Sequence, residues 1–134
     1  MVLFFAQRYA NINFRKMLNL KSIMIGTSQP KVMGDFYTKV LGIKPSMEDD
    51  SYSGWLVGDS FLTVGLHSEI SGKAKEPARV ILNIETEDVK GEFERMKAAG
   101  ATVVKEPYEM QGAWIATLSD PDGNYFQLMT PWKG

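Results

Sequence analysis

The sequence has no cysteine and a single histidine, His67, in 134 residues. Without thiols there is no disulfide framework, no thiolate nucleophile and no zinc–thiolate centre, which suits a reducing compartment. For His67 no partner in a catalytic triad or a metal set is identifiable. No apolar run approaches the roughly 18 residues that a membrane span needs. Met1 to Phe5 is apolar, but Gln7 and Arg8 interrupt it and no basic region precedes it, so no signal-peptide core is expected. Charge bias is also missing: Lys and Arg number 15 against 16 Asp and Glu. That balance argues against a nucleic-acid partner or a polyanionic one. The expectation is a cytoplasmic domain with no nucleic-acid or membrane partner. At 134 residues the chain is long enough to bury a core of its own.

Residues 1–19 read as an N-terminal extension, short-helical or disordered, with irregular apolar residues among Gln7, Arg8, Arg15 and Lys16. From residue 20 the pattern becomes regular. Leu20 to Thr27 alternates as a strand. Ser28 is the expected N-cap of a helix that has Pro30 in its first turn and Gly42 beyond its end. Ile43 to Met47 reads as a strand and Glu48 to Ser51 as a solvated loop. Ser53 to Val57 and Phe61 to Leu66 form a hairpin around Gly58-Asp59. Residues 68–77 read as a linker. A strand-like stretch from Ala78 to Glu85, a helix from Glu87 to Ala99 capped by Thr86, and a strand from Ala101 to Lys105 follow. Pro107 to Gly112 is the expected loop before the last two strands, Trp114 to Leu118 and Tyr125 to Met129.

The turn between those last strands, Ser119-Asp120-Pro121-Asp122-Gly123-Asn124, has a reason for each residue. Pro121 fixes φ and stops the incoming strand. Asp120 and Asp122 can bond their own backbone, and Gly123 and Asn124 tolerate positive φ. Phe126-Gln127-Leu128 then sets one polar side chain between two apolar ones, so Gln127 faces the opposite side of its sheet from its neighbours.

The order strand, helix, three strands occurs twice. Phe36…Leu41-Gly42-Ile43 matches Phe93…Ala99-Gly100-Ala101, Gly54-Trp55 matches Ala113-Trp114, and Gly58-Asp59…Phe61 matches Gly123-Asn124…Phe126. Such self-similarity points to duplicated supersecondary modules, over residues 20–67 and 78–132 of one domain spanning 20–134. A single βαβββ unit leaves one sheet face bare, so two must close on each other around a cavity. The expected class is α+β, with two βαβββ modules in a curved, incompletely closed eight-stranded sheet or barrel.

Phe36-Tyr37…Val40-Leu41-Gly42-Ile43, Glu94 to Ala101, and Asp120-Pro121-Asp122-Gly123-Asn124-Tyr125-Phe126-Gln127-Leu128 resemble motifs of the vicinal oxygen chelate superfamily. That superfamily contains glyoxalase I, extradiol dioxygenases and bleomycin-resistance proteins, and the resemblance covers about residues 20–132. It implies homodimers and, in the enzymes, a divalent metal held by His near the start of each module's first strand and Glu on each last strand. Imidazole and carboxylate suit Zn, Fe, Mn or Ni. In this sequence the corresponding positions carry Ser22, Ile81, Thr63 (or Leu62) and Gln127. None is a good ligand for a catalytic cation, so the resemblance implies no metal and no cofactor here.

The remaining polar and aromatic residues leave two functions open, beside a third in which the fold is a structural or partner-binding module with a filled cavity. The first is a metal-free protein binding an apolar or aromatic small molecule. Its candidate contacts are Met24, Trp55, Thr63, His67, Asn83, Trp114 and Gln127, with Tyr108 and Gln111 at a rim and Met110 and Met129 as adaptable lining. The second is an enzyme, either a metal-dependent lyase, dioxygenase or transferase of the superfamily or a metal-independent one that uses His67 as its base. Each candidate also has a structural alternative: Trp55 and Trp114 as core or dimer packing, Asn83 as an amide tied to a neighbouring strand, and His67 as a solvated strand end.

Overall fold

The computed structural model describes residues 18–132. The expected N-terminal extension therefore lies outside the described residues, apart from Leu18 and Asn19. The first module comprises β1 (Ser22–Thr27), α1 (Pro30–Leu41), β2 (Met47–Asp49), β3 (Tyr52–Val57) and β4 (Ser60–Leu66). The second comprises β5 (Leu82–Glu85), α2 (Val89–Ala98), β6 (Thr102–Met110), β7 (Ala113–Ser119) and β8 (Tyr125–Met129). Each builds its own four-stranded mixed sheet, in the orders β1-β4-β3-β2 and β5-β8-β7-β6. The first strand of each module runs parallel to the last, with Met24 beside Thr63 and Asn83 beside Gln127. Parallel neighbours need a long crossover, and the helix and the intervening hairpins supply it. The architecture is thus α+β with curved sheets, and the described residues close no barrel.

Local chemistry sets the element ends. Pro30 opens α1 and Gly42 ends it at φ 70°, its N–H donating to Thr38 O at 3.1 Å. Gln29, not Ser28, occupies the N-cap position and makes no capping bond. The Thr27 hydroxyl accepts from the Gln29 N–H at 3.0 Å and turns the chain one residue later than expected. In the second module Thr86 accepts from the Asp88 N–H at 3.1 Å, and Asp88 is the cap of α2, accepting from Gly91 N–H at 3.0 Å.

Two expected loops are partly strand, and the strand expected at Ile43 to Met47 forms only over Met47–Asp49. Asp49 Oδ1 accepts from the Ser51 N–H at 2.8 Å, and this Asx turn folds β2 back on β3 through part of the acidic stretch. β6 runs on through Pro107 to Met110. Its pairing with β7 shifts register between Val103 and Lys105 and again before Tyr108. β6 is a sheet edge, where a missing N–H and a bulge are both tolerated. Gln111 and Gly112, at φ 54° and 85°, make the two-residue turn into β7.

One core joins the modules. Met33, Phe36, Tyr37 and Val40 of α1 and Val89, Phe93 and Met96 of α2 pack with Trp55, Leu62, Val64, Leu118, Phe126 and Leu128 from both sheets. The Tyr37 ring lies 6.0 Å from Phe126 of the other module. Because strand side chains alternate, burying these positions under the helices sends Met24, Gly54, Thr63, Asn83, Thr117 and Gln127 to the opposite, uncovered faces.

The closing turn clasps the two modules. Asp120 Oδ1 accepts from the N–H groups of Asp122 (2.9 Å) and Asn124 (3.0 Å), as the turn chemistry requires. Its Oδ2 accepts from the Tyr37 hydroxyl of α1 at 2.7 Å. Asp122 accepts from the Thr27 hydroxyl at 2.6 Å and from Gln29 Nε2 at 2.7 Å. Burial pushes the Asp120 carboxyl above its ordinary range, against the lowering effect of its donors, Tyr37 first among them. Burial, followed by the charge of Asp120, also raises the Tyr37 phenol well above 10.0.

Candidate functional site

β1 and β5 each end a sheet, so each has an edge with no strand partner. Between those edges lies a cavity of about 680 Å³, lined by Leu20 to Ile23 on one side and Val80 to Glu85 on the other. The β3–β4 hairpin at Val57 to Ser60 and the end of α1 at Leu41 complete the walls. Phe61, Leu62 and Met129 add apolar surface. Lys21, Asp59 and Glu85 are the charged residues of the lining, and Ser22, Ser60 and Asn83 its uncharged polar ones. The size falls in the ordinary range for small-molecule pockets, about 300–1,000 Å³, and a mostly apolar wall with few polar groups is the usual composition.

The residues singled out in the sequence separate into three groups. Ser22, Ile81 and Asn83 line the cavity, as does Met129. Thr63, Thr117 and Gln127 stand on the uncovered sheet faces, with Thr63 and Thr117 almost wholly shielded by neighbouring side chains and Gln127 half-buried. Met24 shares that face and is 56% exposed, its Cε crossing Gly65. The third group lies elsewhere. Trp55 faces the helices, fully buried, its Nε1 donating to the Thr38 hydroxyl at 3.3 Å. Trp114 packs partly buried on the same core, with the Lys90 ammonium 3.8 Å from its ring centroid. The two tryptophans therefore do not flank the cavity; period 2 puts them beneath the sheets. His67 is exposed beyond β4, where its Nδ1 accepts from the Glu69 N–H at 3.2 Å. Gln111 sits at the tip of the β6–β7 turn, away from the cavity.

Sequence reasoning missed Leu41, Val57, Val80, Leu82 and Ile84 as lining residues. It assigned faces by alternation, but a gap between two strand edges is walled by residues of both parities. Of the row Thr117–Gln127–Asn83 it offered only the Asn83 amide tied to a neighbouring strand. Thr117 Oγ1 donates to Gln127 Oε1 at 3.3 Å, and Gln127 Nε2 donates to Asn83 Oδ1 at 2.7 Å. The three side chains sit abreast on β7, β8 and β5, so the row ends at the cavity wall.

Paired βαβββ modules, each with its own four-stranded mixed sheet, are the architecture of a class, the vicinal oxygen chelate fold. The chain belongs to the glyoxalase-like domain family, whose pattern matches residues 22–129. A glyoxalase/bleomycin resistance protein/dioxygenase family enzyme from Burkholderia phytofirmans is 28% identical, with a TM-score of 0.69 over 84% of this chain and 98% of that one. A glyoxalase-related enzyme from Fulvimarina pelagi superposes with a TM-score of 0.73 at 16% identity, covering 86% of this chain and 89% of its own. TioX from Micromonospora sp. gives 0.65 at 16% identity over 84% and 98% of the two chains. These last two likenesses speak for the fold. No curated protein matches the chain significantly.

The metal that enzymes of this superfamily hold does not fit the side chains present here. Ser22, Thr63, Ile81 and Gln127 supply no carboxylate and no imidazole, and Gln127 already spends its amide on Thr117 and Asn83. Among the described residues no three His, Cys, Asp or Glu side chains gather into a metal-sized group. Neutral amides and hydroxyls are weak ligands for Zn, Fe or Ni.

Proposed function

We propose that this protein binds an apolar or aromatic small molecule in the cavity between β1 and β5, without a metal and without transforming it. The observation that carries this reading is the cavity itself: about 680 Å³ of largely apolar wall built jointly by both modules. Hydroxyl and amide groups on the wall orient a guest and offer no strong nucleophile. His67, exposed and off the cavity, is not placed to act as a base on that guest. Two structural relatives bear the name glyoxalase/bleomycin resistance protein, whose second half is in keeping with a binding role. The setting we assign is the cytoplasm, which a chain without cysteine suits.

The same reading includes a homodimer. Met24, Met47 and Leu56 lie on the uncovered face of the first sheet at 56%, 48% and 55% exposure, and Met110 stands on the second at 51%. A second copy laid across these faces would shield them. Light scattering checks this directly, with a mass near 30 kDa expected, twice the 15.0 kDa of the chain.

The binding role is tested by metal analysis of the isolated protein together with a thermal-shift screen of flat apolar compounds. Substoichiometric Ni, Zn, Fe and Mn, with upward shifts for some compounds, are expected. Stoichiometric metal that disappears in Gln127→Ala would overturn the reading and favour a metal-dependent enzyme.

A further inference from the structure

We infer that the row Thr117–Gln127–Asn83 selects the ligand: it turns the Asn83 amide N–H₂ toward the cavity, so the favoured guest carries a neutral carbonyl oxygen there. This inference rests on the cavity being the binding site. Its own basis is the direction of the hydrogen bonds. Thr117 Oγ1 donates to Gln127 Oε1 at 3.3 Å, and the other end of the same amide, Nε2, donates to Asn83 Oδ1 at 2.7 Å. With Oδ1 held against Gln127, the unmatched donors of Asn83 are on Nδ2, for which the described residues provide no acceptor. Asn83 is exposed and lines the cavity, so those two donors are free for a guest seated there. An amide presenting only donors rewards an acceptor and penalises a donor.

The surrounding charge narrows the acceptor to a neutral one. The lining carries Asp59 and Glu85 against Lys21, and Glu85 shares a strand face with Asn83. A carboxylate guest would meet like charge beside the amide, whereas a ketone, ester or amide carbonyl would not. Gln127 thus acts as a positioning residue, setting through its own orientation which end of Asn83 the ligand meets.

A pair of probes that differ in one atom type tests this: 2-acetylnaphthalene and 2-isopropenylnaphthalene, with C=O in one where the other has C=CH₂. The wild type is expected to bind the ketone about five- to tenfold more tightly, the worth of one hydrogen bond. Asn83→Ala abolishes the difference. Gln127→Glu is the sharper variant, because a carboxylate can only accept. Asn83 then turns its N–H₂ to the introduced carboxylate, presents Oδ1 to the cavity, and the preference moves from the ketone to 1-(2-naphthyl)ethanol, a donor. Equal binding of ketone and alkene by the wild type, or a ketone preference that survives Gln127→Glu, overturns the selection while leaving the cavity as the binding site. Binding of none of the probes overturns both. The free protein gives a reading independent of any ligand. One Gln127 side-chain amide proton should exchange slowly in the wild type and fast in Asn83→Ala, and fast exchange in both sinks the row.

Discussion

The phenolic hydroxyl of Tyr37 donates a 2.7 Å hydrogen bond to the Asp120 carboxylate, joining the helix of the first module to the closing turn of the second across 83 residues of sequence. Both groups are buried, Tyr37 completely and Asp120 to 4% exposure. Thr27 and Gln29 hold Asp122 in the same way, so both acidic residues of one turn are satisfied partly from the opposite module. The turn therefore does two things at once. It reverses the chain between β7 and β8, and it fixes the two sheets relative to each other. The cavity is walled by strands of both modules, so its width depends on this clasp.

Tyr37→Phe removes the donor and leaves a buried carboxylate oxygen with only Asn124 Nδ2, at 3.0 Å. The expected loss is about 1–3 kcal/mol in urea unfolding, the usual cost of a buried group that loses a charge-assisted partner. The pH dependence has a definite sign. Tyr37 is raised above 10.0 in the fold, so its neutral form contributes stability that is complete below pH 10 and lost as pH climbs beyond it. Unfolding curves between pH 9 and 11 should show that alkaline decline in the wild type and a shallower one in Tyr37→Phe. Equal slopes would show that the phenol does not carry it.

Asp120 titrates with the same sign at the other end of the scale. Its carboxyl is pushed above 3.8 chiefly by burial, so the folded state holds its proton more tightly than the unfolded chain. The associated stability is present below that value and is lost as pH rises through the folded-state titration. Asp120→Asn has no proton to lose. It should be less stable than the wild type, because an amide N–H₂ now meets donors, and the gap should narrow as pH rises from 3 toward neutrality. A gap that widens over that interval would mean that the donors around Asp120 outweigh its burial.

The α2 cap supplies a third test. Alanine in place of a helical glycine ordinarily gains about 1 kcal/mol. At Gly91 the added Cβ would collide with the Asp88 carboxylate that caps this helix, its Cγ lying 2.7 Å away. Gly91→Ala should therefore displace the cap, worth about 1 kcal/mol, and show almost no net gain. In an Asp88→Ala background the same substitution should recover the full gain. A double-mutant cycle by thermal unfolding measures the coupling directly.

Much of the fold was legible in the sequence because its signals are local. Gly42, Pro30 and the alternation through β8 each act within a few residues, and Tyr125–Met129 is a strand as expected. β6 was read short because Pro107 ordinarily ends a strand, and only the sheet order reveals that it lies at an edge. Asp120 and Asp122 were read as turn formers, which they are. Their partners Tyr37 and Thr27 lie more than 80 residues away, and no periodicity encodes that. The site was legible in part for the same reason. Asn83 and Gln127 stood out as polar residues in apolar strands, but the bond between them depends on the parallel pairing of β5 with β8. Trp55 and Trp114 match as repeat equivalents by face and not by register, since Trp55 pairs with Leu62 where Leu118 pairs with Phe126. Equivalence places them on one kind of face without saying which, and the helices cover that face.

Gly54 links packing to the cavity. It lies opposite Thr63 across the β3–β4 pair, and a Cβ added there would sit 2.9 Å from Phe61 Cε2 and 3.3 Å from Thr63 Cγ2. Phe61 is the neighbour that can yield, and it is one of the residues lining the cavity. Gly54→Ala should therefore cost about 1–3 kcal/mol through overpacking and also reshape the pocket. The two effects separate in combination with Phe61→Leu, whose smaller side chain relieves the contact. Thermal unfolding should recover in the double variant relative to Gly54→Ala. The affinity for a naphthalene probe should fall in Gly54→Ala, where the displaced ring intrudes, and change less when Phe61 is shortened as well. If Gly54→Ala lowers stability but leaves probe affinity intact, Phe61 moves away from the cavity and its ring does not set the pocket's shape.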